Sequence, residues 1–161
     1  MDLKSKYKEQ LLSFIPVVSA MEVDIIDIGM RQIKLSAPLN TNINYEGTAF
    51  GGSLNTLCIL SGYLLVHHLM ISNGLEIDSL VIQDSQIKYK KPVNKNFFAT
   101  ATVDEEEMDR FFKLLKRKNT GRIKIQSSIS ISSSTGVGAS ISSALVDFSA
   151  RFVASAKPKS I

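Results

Sequence analysis

Apolar positions along the chain follow two periods in turn. Leu3, Tyr7, Leu11 and Phe14 recur at helical spacing, which predicts an N-terminal helix over about 2–14. The period then drops to two. Met21, Val23 and Ile25 alternate with Glu22 and Asp24, and Ile33, Leu35 and Ala37 alternate with Gln32, Lys34 and Ser36. With Gly29 between them, the two runs predict a hairpin. The stretch from Pro38 to Gly47 is polar and turn-prone, carrying Asn40, Asn42 and Asn44. From 52 to about 72 the chain is apolar nearly all round, through Leu54, Leu57, Cys58, Leu60, Leu64, Leu65 and Leu69. A helix with so little polar surface is normally buried in its domain. Asn73-Gly74 ends it, the glycine suiting a left-handed position just past a helix.

Four more strands are predicted downstream. One covers 81–90 and is bounded by Pro92; the next runs from 96 to about 105. Ile123, Ile125, Ile129 and Ile131 share one parity, and so do Ala144, Val146, Phe148, Ala150 and Phe152. Residues 127–143 are rich in serine, but the isoleucine parity reads as strands meeting at a turn near Gly136 and Gly138. Between the two strand pairs, Met108 to Lys118 fits a short amphipathic helix with Phe111, Phe112, Leu114 and Leu115 on its apolar side. The order α-β-β-α-β-β-α-β-β predicts an α+β fold. Six mostly antiparallel strands would curve around the long helix. Nothing marks a second domain or a repeat, so 1–161 reads as one unit.

Composition narrows the function classes. The chain has 161 residues, 44% of them hydrophobic, too apolar for a disordered chain. No apolar run approaches the roughly 20 residues of a membrane span. The single Cys58 can form no internal disulfide, and no Cys/His cluster offers a metal site. Lys4, Lys6 and Lys8 before the apolar run of Leu11 to Val18 outline a signal peptide, yet Asp2, Glu9 and Pro16 interrupt that outline. A cytoplasmic protein is expected. The net charge is +4, from 19 Lys+Arg against 15 Asp+Glu. Its bases fall in three short groups that read as solvated faces of surface elements rather than one basic face, so no nucleic-acid partner is expected.

The chemistry-bearing segment lies just before the long helix: Asn44-Tyr45-Glu46-Gly47-Thr48-Ala49-Phe50-Gly51-Gly52-Ser53-Leu54. Paired glycines at a helix start let a ligand approach the backbone. The first-turn N–H groups there are unpaired and sit at the positive end of the dipole. Such an end can receive a phosphate or an oxyanion; equally, the glycines can serve a tight turn alone.

The pattern Asn-x-x-Gly-Thr-x-x-Gly-Gly, a long apolar helix, and a strand ending in Ile87-Lys88-Tyr89-Lys90-Lys91-Pro92-Val93 resembles the hotdog-fold acyl-thioesterases. In particular it resembles the thioesterase domain at the C-terminus of YiiD-type acetyltransferases. There the Thr-x-Phe-Gly-Gly-Ser-Leu string is similar to Thr48 to Leu54. The likeness runs from Ile15-Pro16 to Arg151-Phe152 and includes Arg110-Phe111-Phe112 and Gly121-Arg122-Ile123. It implies a hotdog fold and acyl-thioester hydrolysis, on an acyl-CoA or acyl-carrier-protein thioester. It also implies a homodimer or larger homo-oligomer with sites built between subunits, coenzyme A being carried by the substrate and no cofactor being required.

The sequence departs from better-known hotdog thioesterases at two positions. Where they place a His before the glycines and a helix carboxylate seven residues after the second one, this chain has Phe50 and Ile59. Neither moves a proton. The resemblance assigns Asn44 to orienting water or the thioester, and the Gly51 and Gly52 backbone to the oxyanion. For the base, Asp84 and Glu46 are the candidates, Asp84 from a strand that should pair near the helix start, or across a dimer interface. Phe50, Ser53, Asn55 and Thr56 flank the expected substrate. Lys88, Lys90, Lys91 and Arg151 are expected partners for the phosphates of coenzyme A. Cys58 falls mid-helix among leucines and reads as core; His67 and His68, four turns from the glycines, read as surface or interface residues. The missing carboxylate keeps a second function open, a non-catalytic acyl-CoA or fatty-acyl binding module. An acyl-carrier-protein dehydratase fits less well, since no His stands near the glycines.

Overall fold

The computed structural model describes residues 2–132 and 144–157. The expected turn at Gly136 and Gly138 lies outside them. The chain opens with helix α1 (Leu3–Phe14), capped by the Asp2 carboxylate on the Ser5 N–H at 3.0 Å. A separate short helix, α2 (Pro16–Ala20), follows. Pro16 explains the division: it lacks an N–H to continue α1 yet suits the first turn of a new helix.

Strands β1 (Asp24–Ile28) and β2 (Gln32–Ala37) form the expected hairpin. Then come α3 (Gly51–Ser72), β3 (Ile77–Tyr89), β4 (Phe97–Thr102), α4 (Glu105–Lys118), β5 (Thr120–Ile131) and β6 (Val146–Ala156). Several elements depart from the sequence expectation at their ends. Strand β3 starts four residues earlier than expected, because Ile77 finds a partner in Ala156. Helix α4 starts at Glu105 rather than 108, with Asp104 as its extended N-cap and Glu105, Glu106 and Glu107 in its first turn. Carboxylates favour that end of a helix dipole.

The six strands of the described residues join one sheet, ordered β1-β2-β4-β5-β6-β3, and every neighbouring pair is antiparallel. Helix α3 packs against β2, β3, β4, β5 and β6, so the sheet wraps it. The inward parity of β4, β5 and β6 is buried, through Phe97, Ala99, Ala101, Ile123, Ile125, Ile129, Phe148 and Phe152. The closest approach falls at Gly62, where an added Cβ would sit 2.9 Å from the Phe152 ring. The 22-residue α3 is, contrary to the expectation from the sequence, long and apolar enough in composition to cross a membrane. Its leucines instead line the interior of this sheet.

His68 corrects another expectation. It is only 8% exposed and meets the Tyr7 hydroxyl at 3.1 Å through Nδ1, while the Tyr7 ring packs edge-on to His67 and His68. The pair is therefore covered by α1 instead of lying on open surface. The two sheet edges also differ. Strand β3 is 13 residues long and largely exposed, with Val81 at 56% and Ile82 at 38%.

Candidate functional site

The loop before α3 is held from several sides. Asn42 is buried and donates through Nδ2 to the carbonyls of Met21 (2.9 Å) and Pro38 (2.8 Å). Its own carbonyl accepts the Phe50 N–H at 2.7 Å, and the Val93 carbonyl accepts the Ala49 N–H at 2.7 Å. The last residues before the helix are thus tied to the chain on both sides of the loop. Asn42 was not singled out from the sequence; its only signal there is its place among three nearby asparagines.

Asn44 closes the loop tip. Its Oδ1 accepts the backbone N–H groups of Glu46 (3.0 Å) and Thr48 (3.1 Å), and its Nδ2 donates to the Thr48 hydroxyl at 3.1 Å. Asparagine side chains commonly take over backbone bonds in such turns. Gly47 completes the turn at φ +79°, a left-handed conformation that glycine adopts without steric penalty. The Asn44 amide, expected to orient water or the thioester, is therefore engaged by its own loop. Glu46 stands exposed at the tip.

Helix α3 then begins without a side-chain cap. Phe50 is the N-cap in extended conformation (φ −61°, ψ 131°) and makes no capping hydrogen bond. The first-turn N–H groups of Gly51, Gly52 and Ser53 therefore meet no capping side chain among the described residues. The Phe50 ring, 57% exposed, folds over Gly52: an added Cβ there would lie 2.3 Å from the ring. Gly52 is required by that contact. Gly51 meets a second aromatic ring. The Tyr89 hydroxyl donates to the Gly51 carbonyl at 2.9 Å, and its ring would lie 3.4 Å from a Cβ at Gly51. Burial raises the Tyr89 pKa, and the nearby Cys58 sulfur adds to the effect, so the hydroxyl stays a donor. Tyr89 is the second residue that the sequence reading missed as an individual. The alternation of Lys88, Tyr89 and Lys90 is its signal, since it sends the tyrosine to the opposite face from the lysines.

On the same helix, Ser53, Asn55 and Thr56 lie on the partly exposed side. Asn55 Oδ1 is buried and has no hydrogen-bond partner among the described residues, the kind of acceptor that asks for a donor. Ile59 occupies the position of the usual helix carboxylate. Cys58 is fully buried, and burial pushes its thiol up to about 12. It has no accessible thiolate, and it packs in the core as the sequence indicated.

Strand β3 separates the remaining candidates by face. Ser85, Ile87 and Tyr89 pair with Ala150, Phe148 and Val146, the inward parity of β6. Asp84, Gln86 and Lys88 pair with Arg151, Ser149 and Asp147, the outward parity. Asp84 meets Arg151 at 3.3 Å, and Lys90 meets Asp147 at 3.0 Å. This corrects the placement of Asp84 near the helix start: it faces outward and is paired with the arginine expected to bind phosphate. The cause is a bulge between Ile82 and Asp84, which turns both Gln83 and Asp84 outward, Gln83 accepting from Arg122 at 3.2 Å. Lys88 faces the same outer side, where a shallow depression of about 610 Å³ is bordered by Lys88, Lys124, Gln126 and Asp147. Lys88, Lys90 and Arg151 are therefore not gathered around the glycine turn. Lys91 is exposed past the strand, two residues before the Val93 that holds Ala49.

No cluster of three metal-ligating side chains occurs among the described residues. The helix start can do one thing well: present two backbone N–H groups, unscreened by a cap, to an oxygen carrying negative charge.

Known proteins share this fold. A crystal structure of a protein of unknown function from Chlorobaculum tepidum is 25% identical, with a TM-score of 0.85, covering 96% of this chain and 95% of that one. A protein described as a putative thioesterase from Shewanella oneidensis is 22% identical, with a TM-score of 0.80 and coverage of 95% and 97%. A thioesterase from Haemophilus influenzae is 16% identical, with a TM-score of 0.67 and coverage of 98% and 92%. No curated protein matches by sequence. The wrapped helix and these likenesses establish the hotdog fold that the glycine pattern implied. The sequence profile described as putative thioesterase (yiiD_Cterm) matches residues 4–156, and the chain belongs to that thioesterase family.

Proposed function

We propose that the protein hydrolyses acyl thioesters of coenzyme A or acyl-carrier protein at the start of α3. The observation that carries this reading is the uncapped Gly51-Gly52 turn, clamped between the Phe50 and Tyr89 rings. A thioester carbonyl placed against those N–H groups is polarised, and water attacks its carbon. The oxyanion of the tetrahedral intermediate rests on the two amides. Collapse breaks the C–S bond, and the thiolate takes up the proton that the base removed from water.

Glu46 is the proposed base, the loop carboxylate that remains once Asp84 is paired outside. The loop that carries it is fixed by Asn44, whose role here is to shape that loop. Asn55 Oδ1 is positioned on the first turns of the helix to accept a hydrogen bond from the attacking water or the substrate. Lys91 is the proposed contact for the phosphates of the carrier.

A homodimer completes the site in this reading. The long free edge of β3, with exposed Val81 and Ile82, is the kind of edge that pairs with another chain. A cytoplasmic location, where such carriers occur, is part of the same proposal.

Two observations favour a second reading. With Ile59 on the helix and Asp84 turned away, the protein would bind acyl-CoA without cleaving it. A panel of acyl-CoAs with free-thiol detection separates the two. Thiol release that falls about a hundredfold in Glu46→Gln, the span of general-base catalysis, supports hydrolysis with the proposed base. Saturable binding without thiol release across the panel supports the binding module.

A further inference from the structure

We propose that Tyr89 is a positioning residue for the oxyanion donor at Gly52, an inference that rests on the hydrolytic reading above. The Gly51 carbonyl and the Gly52 N–H belong to one planar peptide unit. A hydrogen bond to that carbonyl therefore acts on that amide. Tyr89 donates to it at 2.9 Å, from the end of β3 and across the space between sheet and helix. The bond does two things. It fixes the plane of the peptide, and so the direction of the Gly52 N–H. It also draws charge toward the carbonyl, making the amide a stronger donor, as linked hydrogen bonds polarise one another.

The surroundings leave this peptide little freedom. Gly51 lies against the Tyr89 ring and Gly52 against the Phe50 ring, so one peptide is held between two aromatic side chains. The N-cap supplies no side-chain bond that would fix it instead. Elsewhere such a turn is oriented by a capping side chain; here the sheet does it through a phenol. The hydroxyl is already engaged by the carbonyl, so Tyr89 acts through the backbone and not on the thioester itself.

Tyr89→Phe tests this directly, because it keeps the ring against Gly51 and removes only the oxygen. Losing a whole oxyanion donor lowers kcat by about a hundredfold or more; losing the bond that orients one should lower it about tenfold. KM should stay within about twofold, and the melting temperature should hold. The Gly52 amide proton, followed by NMR in wild type and Tyr89→Phe, reads the same bond without turnover and should move upfield in the variant. An unchanged kcat in an active enzyme overturns the proposal, as does an unmoved Gly52 resonance. A fall in kcat accompanied by an equal loss of thermal stability also overturns it, since a structural role would then suffice. If wild-type protein releases no thiol from any acyl-CoA, the hydrolytic reading fails separately. The Gly52 resonance then still decides whether Tyr89 orients that peptide.

Discussion

The two ends of α3 satisfy their backbone groups in opposite ways. At the C-terminal end, Asn73 donates its N–H to the Leu69 carbonyl (3.2 Å) and its Nδ2 to the same oxygen (2.8 Å). Gly74 follows at φ +71°, and His68 is covered by Tyr7 and bonded to Ser72. That end is closed. At the N-terminal end the cap is a phenylalanine with no side-chain bond, and two glycines bare the first turn. A helix terminus gains about 1 kcal/mol from a Ser, Thr, Asp or Asn cap, so Phe50 forgoes stability that a polar residue would supply. The difference teaches where to look for chemistry. Donors that the fold spends on itself are structural, and donors left facing out are available to a ligand.

Breaking the open end should have the largest effect on activity. Gly52→Val places side-chain atoms where the Phe50 ring now lies and crowds the uncapped first turn. Thiol release should fall at least about a hundredfold while circular dichroism shows an intact fold. Wild-type turnover in this variant would detach the glycine turn from catalysis.

The helix between the two ends should respond through stability alone. Leu65 is fully buried, and Leu65→Ala should destabilise by about 3 kcal/mol. For a chain of this size that lowers the melting temperature by about 10 °C. Activity per folded molecule should persist, which thiol release well below the transition would check.

The closed end should carry a pH signature. Burial holds the imidazoles of His67 and His68 below their ordinary value of 6.5, with the neighbouring His68 and Lys6 charges adding to the effect on His67. Near and below that value the unfolded chain then binds more protons than the folded one. Stability is complete above about pH 6.5 and is lost as pH falls toward the lowered native values. The melting temperature should thus drop between about pH 7.5 and pH 5.5. The drop should shrink in His68→Gln; an undiminished drop would place its origin in other groups.

The smallest effect is expected on the outer face. Asp84 and Arg151 form an exposed pair, and such pairs contribute between 0 and about 1 kcal/mol. Asp84→Asn should leave both melting temperature and thiol release close to wild type. A large loss of rate would return Asp84 to the mechanism.

Much of this was legible in the sequence, for reasons that differ by element. The all-apolar run after Gly52 identified the central helix, because burial on every side leaves no polar stripe. The glycine pair pointed to the start of that helix, where the Phe50 and Tyr89 rings leave no room for a side chain at Gly52 and little at Gly51. Strand β3 and the polar parity of Asp84 were legible, but not the bulge that lets that parity follow an inward Ile82. Strict alternation carries the inward face of Ile82 on to Asp84, and the bulge after Ile82 breaks that parity. A hint was present: Ile82 and Ile87 both face inward, yet they are five residues apart, which strict alternation forbids. Tyr89 and Asn42 were hidden for another reason. Their roles depend on partners 38 and 21 residues away in sequence, which no local pattern encodes.

The central claim is that the acyl carbonyl sits on the first turn of α3. A crystal structure with a non-hydrolysable acyl-CoA analogue tests it most directly. The account predicts the carbonyl oxygen about 3 Å from the Gly52 nitrogen, with the Tyr89 hydroxyl still on the Gly51 carbonyl. A carbonyl bound elsewhere, such as the outer depression between Lys88 and Lys124, would contradict it.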